Sequence, residues 1–354
     1  MVTLFDSIQM GELSLPNRII MSPMTRCRAS EDRVPTALMA NYYRQRATAG
    51  LIISEATSVT PMGVGYPRTP GIWSDEQVAG WKPITEAVHQ AGGRIVMQLW
   101  HVGRISDPVY LEGQQPVAPS AIPAKGHVSL VRPKRAFVTP RALALAEIPD
   151  VIAAYRQGAE NAQRAGFDGI ELHAGNGYLP DQFLQSSTNQ RTDEYGGSVE
   201  NRARLLLDIT DAAISVWGAG RVGVHLAPRC DAHDMGDDDP AATFGYVAQA
   251  LGARGIAFIF TREHFQAPAL TPALKKLFGG PLIANEQFTQ EAARQAVQQG
   301  VADAVAFGQV YIANPDLVAR FHSHAPLNPL DAVTMYGASS QGYTDYPALG
   351  ESLG

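Results

Sequence analysis

The sequence predicts an α/β fold, a (β/α)8 TIM barrel, from three observations. Eight short apolar runs recur along 354 residues, segments of helical period separate them, and no GxGxxG follows the first run. Near-continuous apolar runs are what parallel strands buried on both faces require. The first four predicted strands are Arg18–Ser22, Leu51–Glu55, Arg94–Leu99 and Gly169–His173. The other four are Val222–Leu226, Ile256–Phe260, Pro281–Ala284 and Ala304–Gly308. An open doubly wound sheet would carry a glycine fingerprint after its first strand. The near miss, Gly63-Val64-Gly65, lacks both a third glycine and a following helix.

Helix boundaries follow from capping chemistry. Ser74 and Gln77 form a capping box that opens a helix ending at Gly92-Gly93. Pro149 opens another that closes at Gly166. Ser198–Trp217, Ala241–Ala253, Thr289–Gln299 and Pro315–Phe321 have the same character. Two segments fall outside the repeat. Residues 1–16, turning near Gly11-Glu12, predict a hairpin under the barrel. The stretch 101–147 carries six prolines and an alternating Val128–Val138 and predicts a lid after strand three. The whole chain, 1–354, is expected to form a single barrel domain.

Apolar residues make up 45% of the chain and charged residues 18%, so a large core is available. A net charge of −6 argues against nucleic-acid and anionic-membrane partners. Cys27 and Cys230 form no CxxC pair, and Asp6 and Glu12 interrupt the first apolar residues. A cytoplasmic protein without a signal peptide is expected. The acidic run His233–Asp239 lacks EF-hand spacing and precedes Pro240, so it predicts a helix start and no metal. HExxH, GxSxG and P-loop patterns are missing. Cys27 beside Arg26 and Arg28 invites a lowered thiol pKa, against which stands the simpler expectation of a buried, inert side chain.

Catalytic residues of such barrels sit at the carboxyl ends of strands. Strand four runs out through His173, Asn176 and Tyr178. Two neighbouring donors can hold a carbonyl or nitro oxygen and stabilise developing negative charge, and a tyrosine can protonate the adjacent carbon. A lone histidine there would read as a core residue satisfied by backbone. Three polar groups converging on one strand end favour a site.

PMTR (Pro23–Arg26), AGLIISEAT (Ala49–Thr57), QLWHVGR (Gln98–Arg104), HAGNGY (His173–Tyr178) and NQRTDEYGGSVENR (Asn189–Arg202) together resemble the old yellow enzyme family. DQFL (Asp181–Leu184), IANPDL (Ile312–Leu317) and GYTDYP (Gly342–Pro347) extend the resemblance over essentially the whole chain. It implies an FMN-dependent ene-reductase that takes hydride from NADPH or NADH in a ping-pong cycle. The acceptor would be an electron-poor alkene, such as an α,β-unsaturated carbonyl or nitro compound, or a nitroester. By the same resemblance Thr25 and Gln98 would bond the flavin ring, and Pro23, Met24 and Ala56 would line it. His173 and Asn176 would hold the substrate oxygen, and Tyr178 would protonate Cα after hydride reaches Cβ. Trp100 and Tyr343 would shape the substrate pocket. Monomer and homodimer both fit the family.

Three flavin contacts depart from the family pattern. His225 stands where strand five usually ends in arginine, Asn285-Glu286-Gln287 replaces a glycine-rich turn, and Gly308-Gln309 replaces Gly-Arg. Two lost guanidinium bonds would cost about 3–6 kcal/mol, roughly 10²- to 10⁴-fold in affinity. Backbone N–H groups can still cradle a phosphate. Arg262 past strand six, or Arg229, can replace a lost cation, with Glu286 paired to Arg262 or turned outward. GVHLAPRxDxHDMGD and TRE resemble the xenobiotic reductase B and N-ethylmaleimide reductase-like branch, which keeps FMN. His225, unlike arginine, is expected to make flavin reduction depend on pH between about 5 and 8. The rival expectation is a flavin-free isomerase, lyase or cyclase that reuses His173, Asn176 and Tyr178, with His225 as acid–base group. A non-catalytic binding protein is a third.

Overall fold

A computed structural model describes residues 1–229, 232–264 and 268–350; Cys230 lies outside the described residues. Its eight parallel strands are β1 (Ile19–Met21), β2 (Leu51–Ile53), β3 (Ile95–Trp100), β4 (Gly169–Ala174), β5 (Val222–Leu226), β6 (Phe258–Arg262), β7 (Leu282–Asn285) and β8 (Ala304–Phe307). Each pairs with its neighbours in sequence, and β8 pairs with β1 through Val305 and Ile19, which closes the barrel. The predicted (β/α)8 barrel is therefore the observed one. Strand β6 starts two residues later than the apolar run suggested and runs on to Arg262, so this arginine belongs to the strand end.

The helices are α1 (Ala37–Gln45), α2 (Asp75–Gln90), α3 (Ile148–Arg164), α4 (Val199–Trp217), α5 (Pro240–Arg254), α6 (Thr271–Phe278), α7 (Gln290–Gln298) and α8 (Leu317–Ser323). The capping box of α2 is formed, with the Ser74 hydroxyl accepting from Gln77 N–H and the Gln77 side chain accepting from Ser74 N–H. Ser198, Asp239 and Thr289 cap α4, α5 and α7 with the side-chain half of this arrangement, accepting from the N–H of Asn201, Ala242 and Ala292. Asp237 accepts from Arg202 and Thr243, and Asp239 from Ala242 N–H, so the acidic run serves a helix start. Helices α1 and α6 carry no side-chain cap and were not anticipated, although α6 has Pro272 in its first turn and Gly279 in the left-handed region past its end.

Two apolar layers hold the barrel. One lies between strands and helices and includes Ile52, Leu172, Val224 and Tyr155. The other fills the interior with Ile20, Leu51, Ile53, Val96, Phe258, Phe260 and Ile283. The N-terminal hairpin, Ile8–Met10 against Leu13–Leu15, plugs the lower end with the buried Met10, Leu13 and Leu15. Burying each of these side chains contributes about 1.5–3 kcal/mol. Only the carboxyl end of the barrel stays open.

The expected lid covers that end. Its hairpin is reduced to one bridge between His127 and Ala136, with Val128 N–H donating to Arg135. Side chains do the rest. Arg104, buried, donates to the carbonyls of Ile122, His233 and Asp234 and so ties the lid to the loop after β5. Arg191 donates to the carbonyls of Pro119 and Leu143. Among the described residues no helix is long and apolar enough to cross a membrane.

Arg104→Met leaves three carbonyls without their donor and should lower stability by about 2–4 kcal/mol. Urea unfolding would read the loss, and limited proteolysis should cut the lid before the barrel. An unchanged midpoint would mean that the lid's apolar cluster alone holds it.

Candidate active site

A cavity of about 920 Å³ occupies the open end. Its walls are Ser22–Thr25 after β1, Asn176 and Tyr178 after β4, His225 of β5, Arg262 of β6, Asn285–Phe288 after β7 and Phe307–Val310 around the end of β8. Tyr66, the lid residues His127–Leu130, Arg132 and Lys134, and Tyr336 complete it. Ten of the sequence-predicted residues thus border one space: Pro23, Met24, Thr25, Asn176, Tyr178, His225, Arg262, Asn285, Gly308 and Gln309.

Four others stand directly behind that wall. The Gln98 amide is 3.3 Å from His225 Nδ1. The His173 ring lies 4.6 Å from that of His225 and 5.0 Å from that of Tyr178. Trp100 meets Tyr178 edge-on at 5.0 Å, and Ala56 packs in the same apolar cluster. The structure corrects one expectation and separates two alternatives. Tyr343 does not border the cavity; it is buried, stacked on Tyr42 at 4.1 Å between Arg26 and Arg28, and Tyr336 of the same segment takes the wall. Arg229 donates to the Pro268 carbonyl, whereas Arg262 faces the cavity. Cys27 is buried, and burial pushes its thiol up to about 12, so it is inert.

Register aligns the floor. Gln98 pairs with Glu171, and His173 with His225, across β3, β4 and β5. Side chains two apart on a strand share a face, so Glu171 points inward with His173. Gln98 donates to Glu171 at 2.7 Å, and the other Glu171 oxygen has no partner. Because the Gln98 amide donates to His225 Nδ1, the imidazole proton sits on Nε2, a buried donor with no partner among the described residues, on a side chain that borders the cavity. Burial lowers His225 to about 3 and holds His173 well below the usual histidine range, so both rings are neutral. Burial raises Glu171 to about 8. The neutral-range titration expected of His225 therefore belongs to Glu171. The sequence reading missed this residue, although a glutamate two positions before His173 in an apolar strand was the available signal.

Turn geometry sets the reacting end. Asn176 and Gly177 both have positive φ, and a Cβ on Gly177 would press within 3 Å of Met235 and His233. This turn brings Asn176 Nδ2 to 3.4 Å from His173 Nε2. Arg262 donates to Asn176 Oδ1 at 2.9 Å and to Glu286 Oε1 at 3.0 Å, which joins the β4, β6 and β7 loops across the mouth. Burial raises the Tyr178 phenol well above its ordinary range, so it keeps its proton.

The β7 turn keeps a glycine-type path without glycine. Glu286 has φ 111° and Gln287 φ 56°. Side chains in such regions cost about 1–3 kcal/mol each and persist where surrounding structure over-determines them. These residues fit an FMN. The cavity volume suits a ligand of that size. The unpartnered His225 Nε2–H supplies a ring donor, and Arg262, Arg132 and Lys134 supply cations for a phosphate.

The sequence pattern of the NADH:flavin oxidoreductase / NADH oxidase family matches residues 3–328. A Leishmania infantum protein named "Probable flavin mononucleotide-dependent alkene reductase" is 43% identical over 348 residues, 96% of this chain and 95% of that one. The old yellow enzyme homologue from Zymomonas mobilis superposes with a TM-score of 0.96 at 47% identity, covering 98% of this chain and 100% of its own. Morphinone reductase in complex with tetrahydroNAD superposes with a TM-score of 0.95 at 48% identity, covering 99% and 98%.

Glu171, raised from 4.5 to about 8, contributes stability that is complete below about pH 4.5 and lost as pH rises through about 8. Glu55 and Asp181, both raised to about 7 by burial, act in the same direction. Glu171→Gln should flatten the fall in stability between pH 5 and 8, by up to about 1.4 kcal/mol per pH unit. Chemical denaturation at several pH values reads this slope. A variant that falls as steeply as the parent would show that Glu171 is ionised throughout.

Proposed function

Because the chain belongs to the NADH:flavin oxidoreductase / NADH oxidase family, which includes the old yellow enzymes, we propose that it is an FMN-dependent ene-reductase. In this reading NADPH or NADH would be the hydride donor and would share the pocket with the acceptor in turn. An α,β-unsaturated carbonyl or nitro compound, or a nitroester, then enters the same pocket. The chain acts as one flavin-binding barrel domain, soluble in the cytoplasm. The observation that carries the reading is convergence: residues expected at a flavin ring, at its phosphate and at the reacting alkene border one cavity.

FMN would be held by Thr25, Gln98 and His225 around its ring, against Pro23, Met24 and Ala56. Asn285, Gly308, Gln309 and Arg262 would serve its phosphate. When bound, the flavin supplies the hydride received from the nicotinamide. The protein's own residues do the rest. His173 Nε2–H and Asn176 Nδ2–H hold the substrate oxygen and draw charge from the double bond. That task needs the His173 proton on Nε2, so substrate replaces the His173–Asn176 contact. Tyr178, kept protonated by burial, gives its proton to Cα. The lid and Trp100 close the space and exclude water.

Purified protein should absorb in the flavin bands and release FMN on heating. A colourless protein that FMN cannot reconstitute would support the flavin-free isomerase instead. His225→Arg adds a charged bond at the ring edge and meets the unpartnered Glu171 oxygen, so FMN affinity should rise about tenfold or more. Glu286→Gly relaxes the turn and removes a carboxylate from the phosphate end, and affinity should rise again. Fluorescence titration of FMN into the apoprotein reads both. Tyr178→Phe should slow alkene-dependent reoxidation by about 10²-fold or more and leave reduction by NADPH unchanged. Equal slowing of both half-reactions would remove Tyr178 from the donor role.

A further inference from the structure

Tyr178 has one proton to give, and every turnover must replace it. Among the described residues its hydroxyl has a single hydrogen-bond partner, the Tyr66 hydroxyl at 3.0 Å. The rings of His173 and His233 flank Tyr178 at 5.0 and 5.4 Å, but His233 Nδ1 is engaged by the Asn176 carbonyl at 2.6 Å. Tyr66 itself is fixed from two sides. Its ring stacks on Trp100 at 5.4 Å and 28°, and its carbonyl accepts from Arg33 at 2.5 Å. Its side chain borders the cavity, and Ser129 of the lid lines the same space.

We propose that Tyr66 is the positioning and proton-relay partner of Tyr178, linking it through Ser129 to solvent at the lid; this rests on the reading of Tyr178 as the donor to carbon. When the Tyr66 O–H donates to Tyr178, the single Tyr178 proton must point away, into the cavity and toward substrate. As the Tyr178 O–H bond breaks and the Cα–H bond forms, negative charge appears on the Tyr178 oxygen. The hydrogen bond from Tyr66 then becomes charge-assisted and strengthens. The Tyr66 proton next passes to Tyr178, and Tyr66 is reprotonated from water by way of the Ser129 hydroxyl. The balance is one proton from water to carbon, with both tyrosines restored. Tyr66 acts through Tyr178 and touches no reacting carbon.

The test uses the flavin-loaded enzyme, with the two half-reactions followed separately by stopped flow. Tyr66→Phe keeps the ring on Trp100 and removes only the hydroxyl. Alkene-dependent reoxidation should slow about tenfold, with reduction by NADPH unchanged. Its solvent deuterium isotope effect should grow, and imidazolium buffer should restore the rate in proportion to its concentration, an effect that a purely structural role of Tyr66 does not produce. Adding Tyr66→Phe to Tyr178→Phe should cost nothing further. Reoxidation of Tyr66→Phe at the parent rate without buffer dependence overturns the relay, as does a loss that multiplies with that of Tyr178→Phe. If Tyr178→Phe alone reoxidises normally, the donor reading falls and the relay with it. If Tyr178→Phe is slow and Tyr66→Phe is normal, only the relay falls. Should Tyr66→Phe not fold, Ser129→Ala carries the test, with buffer-dependent reoxidation supporting the route and parent behaviour overturning it.

Discussion

Register in the closed barrel is the constraint from which the site follows. Neighbouring parallel strands place Gln98 beside Glu171, His173 beside His225, and Arg262 beside Asn285. Two positions lower on the same inward face stand Val96, Phe260 and Ile283, with Phe258 two positions below Phe260. Along β3, β6 and β7 the inward side chains pass from apolar below to polar above. The period of two means that a slip by one residue would turn every one of them outward. Gly223 fits this pattern, because a Cβ there would lie 2.2 Å from the Phe258 ring. The apolar layers and the hairpin plug thus hold the polar layer in place, and the cavity is what remains above it.

That polar layer is buried, which decides how it handles charge. Arginine at position 225 would bring a permanent cation and a partner for Glu171. With histidine there, burial makes the neutral forms of His173, His225 and Glu171 the stable ones near pH 7. A floor of neutral donors polarises a ligand through hydrogen bonds rather than through net charge. Cations are confined to the rim, where Arg262 is shared between Asn176 and Glu286. A ligand that brings its own negative charge would compete with Glu286 for this arginine, so the same ion pair that ties the mouth together offers the charge that a phosphate would need.

Much of this was legible in the sequence, and the limits are physical. All eight strands showed as apolar runs, because burial on both faces leaves little choice of residue. The capped helices α2, α4, α5 and α7 were visible through Ser74, Ser198, Asp239 and Thr289. Helix α1 was not, since it carries neither a side-chain cap nor a terminal glycine, and α6 was passed over although Pro272 and Gly279 bound it. Strand-end signals located Asn176 and Tyr178, and the family resemblance located His225. Glu171 and Tyr66 were missed because their significance lies in partners 73 and 112 residues away, the one bonded to Gln98 and the other to Tyr178. Tyr343 was misplaced for a similar reason. Its ring follows Arg26, Arg28 and Tyr42, contacts that no local pattern encodes.

The turn after β7 shows how the two ends of the site are coupled. A glycine there would adopt the left-handed path without cost, and the chain instead carries Glu286 and Gln287 through it. Strain of this kind survives only where other contacts fix the backbone. Two are visible: Asn285 donates to the Ala306 carbonyl at 2.8 Å, and Glu286 accepts from Arg262. Arg262 in turn fixes the carboxamide of Asn176, whose other atom faces His173. The β7 turn and the Asn176 carboxamide are thus positioned by one guanidinium that bonds both.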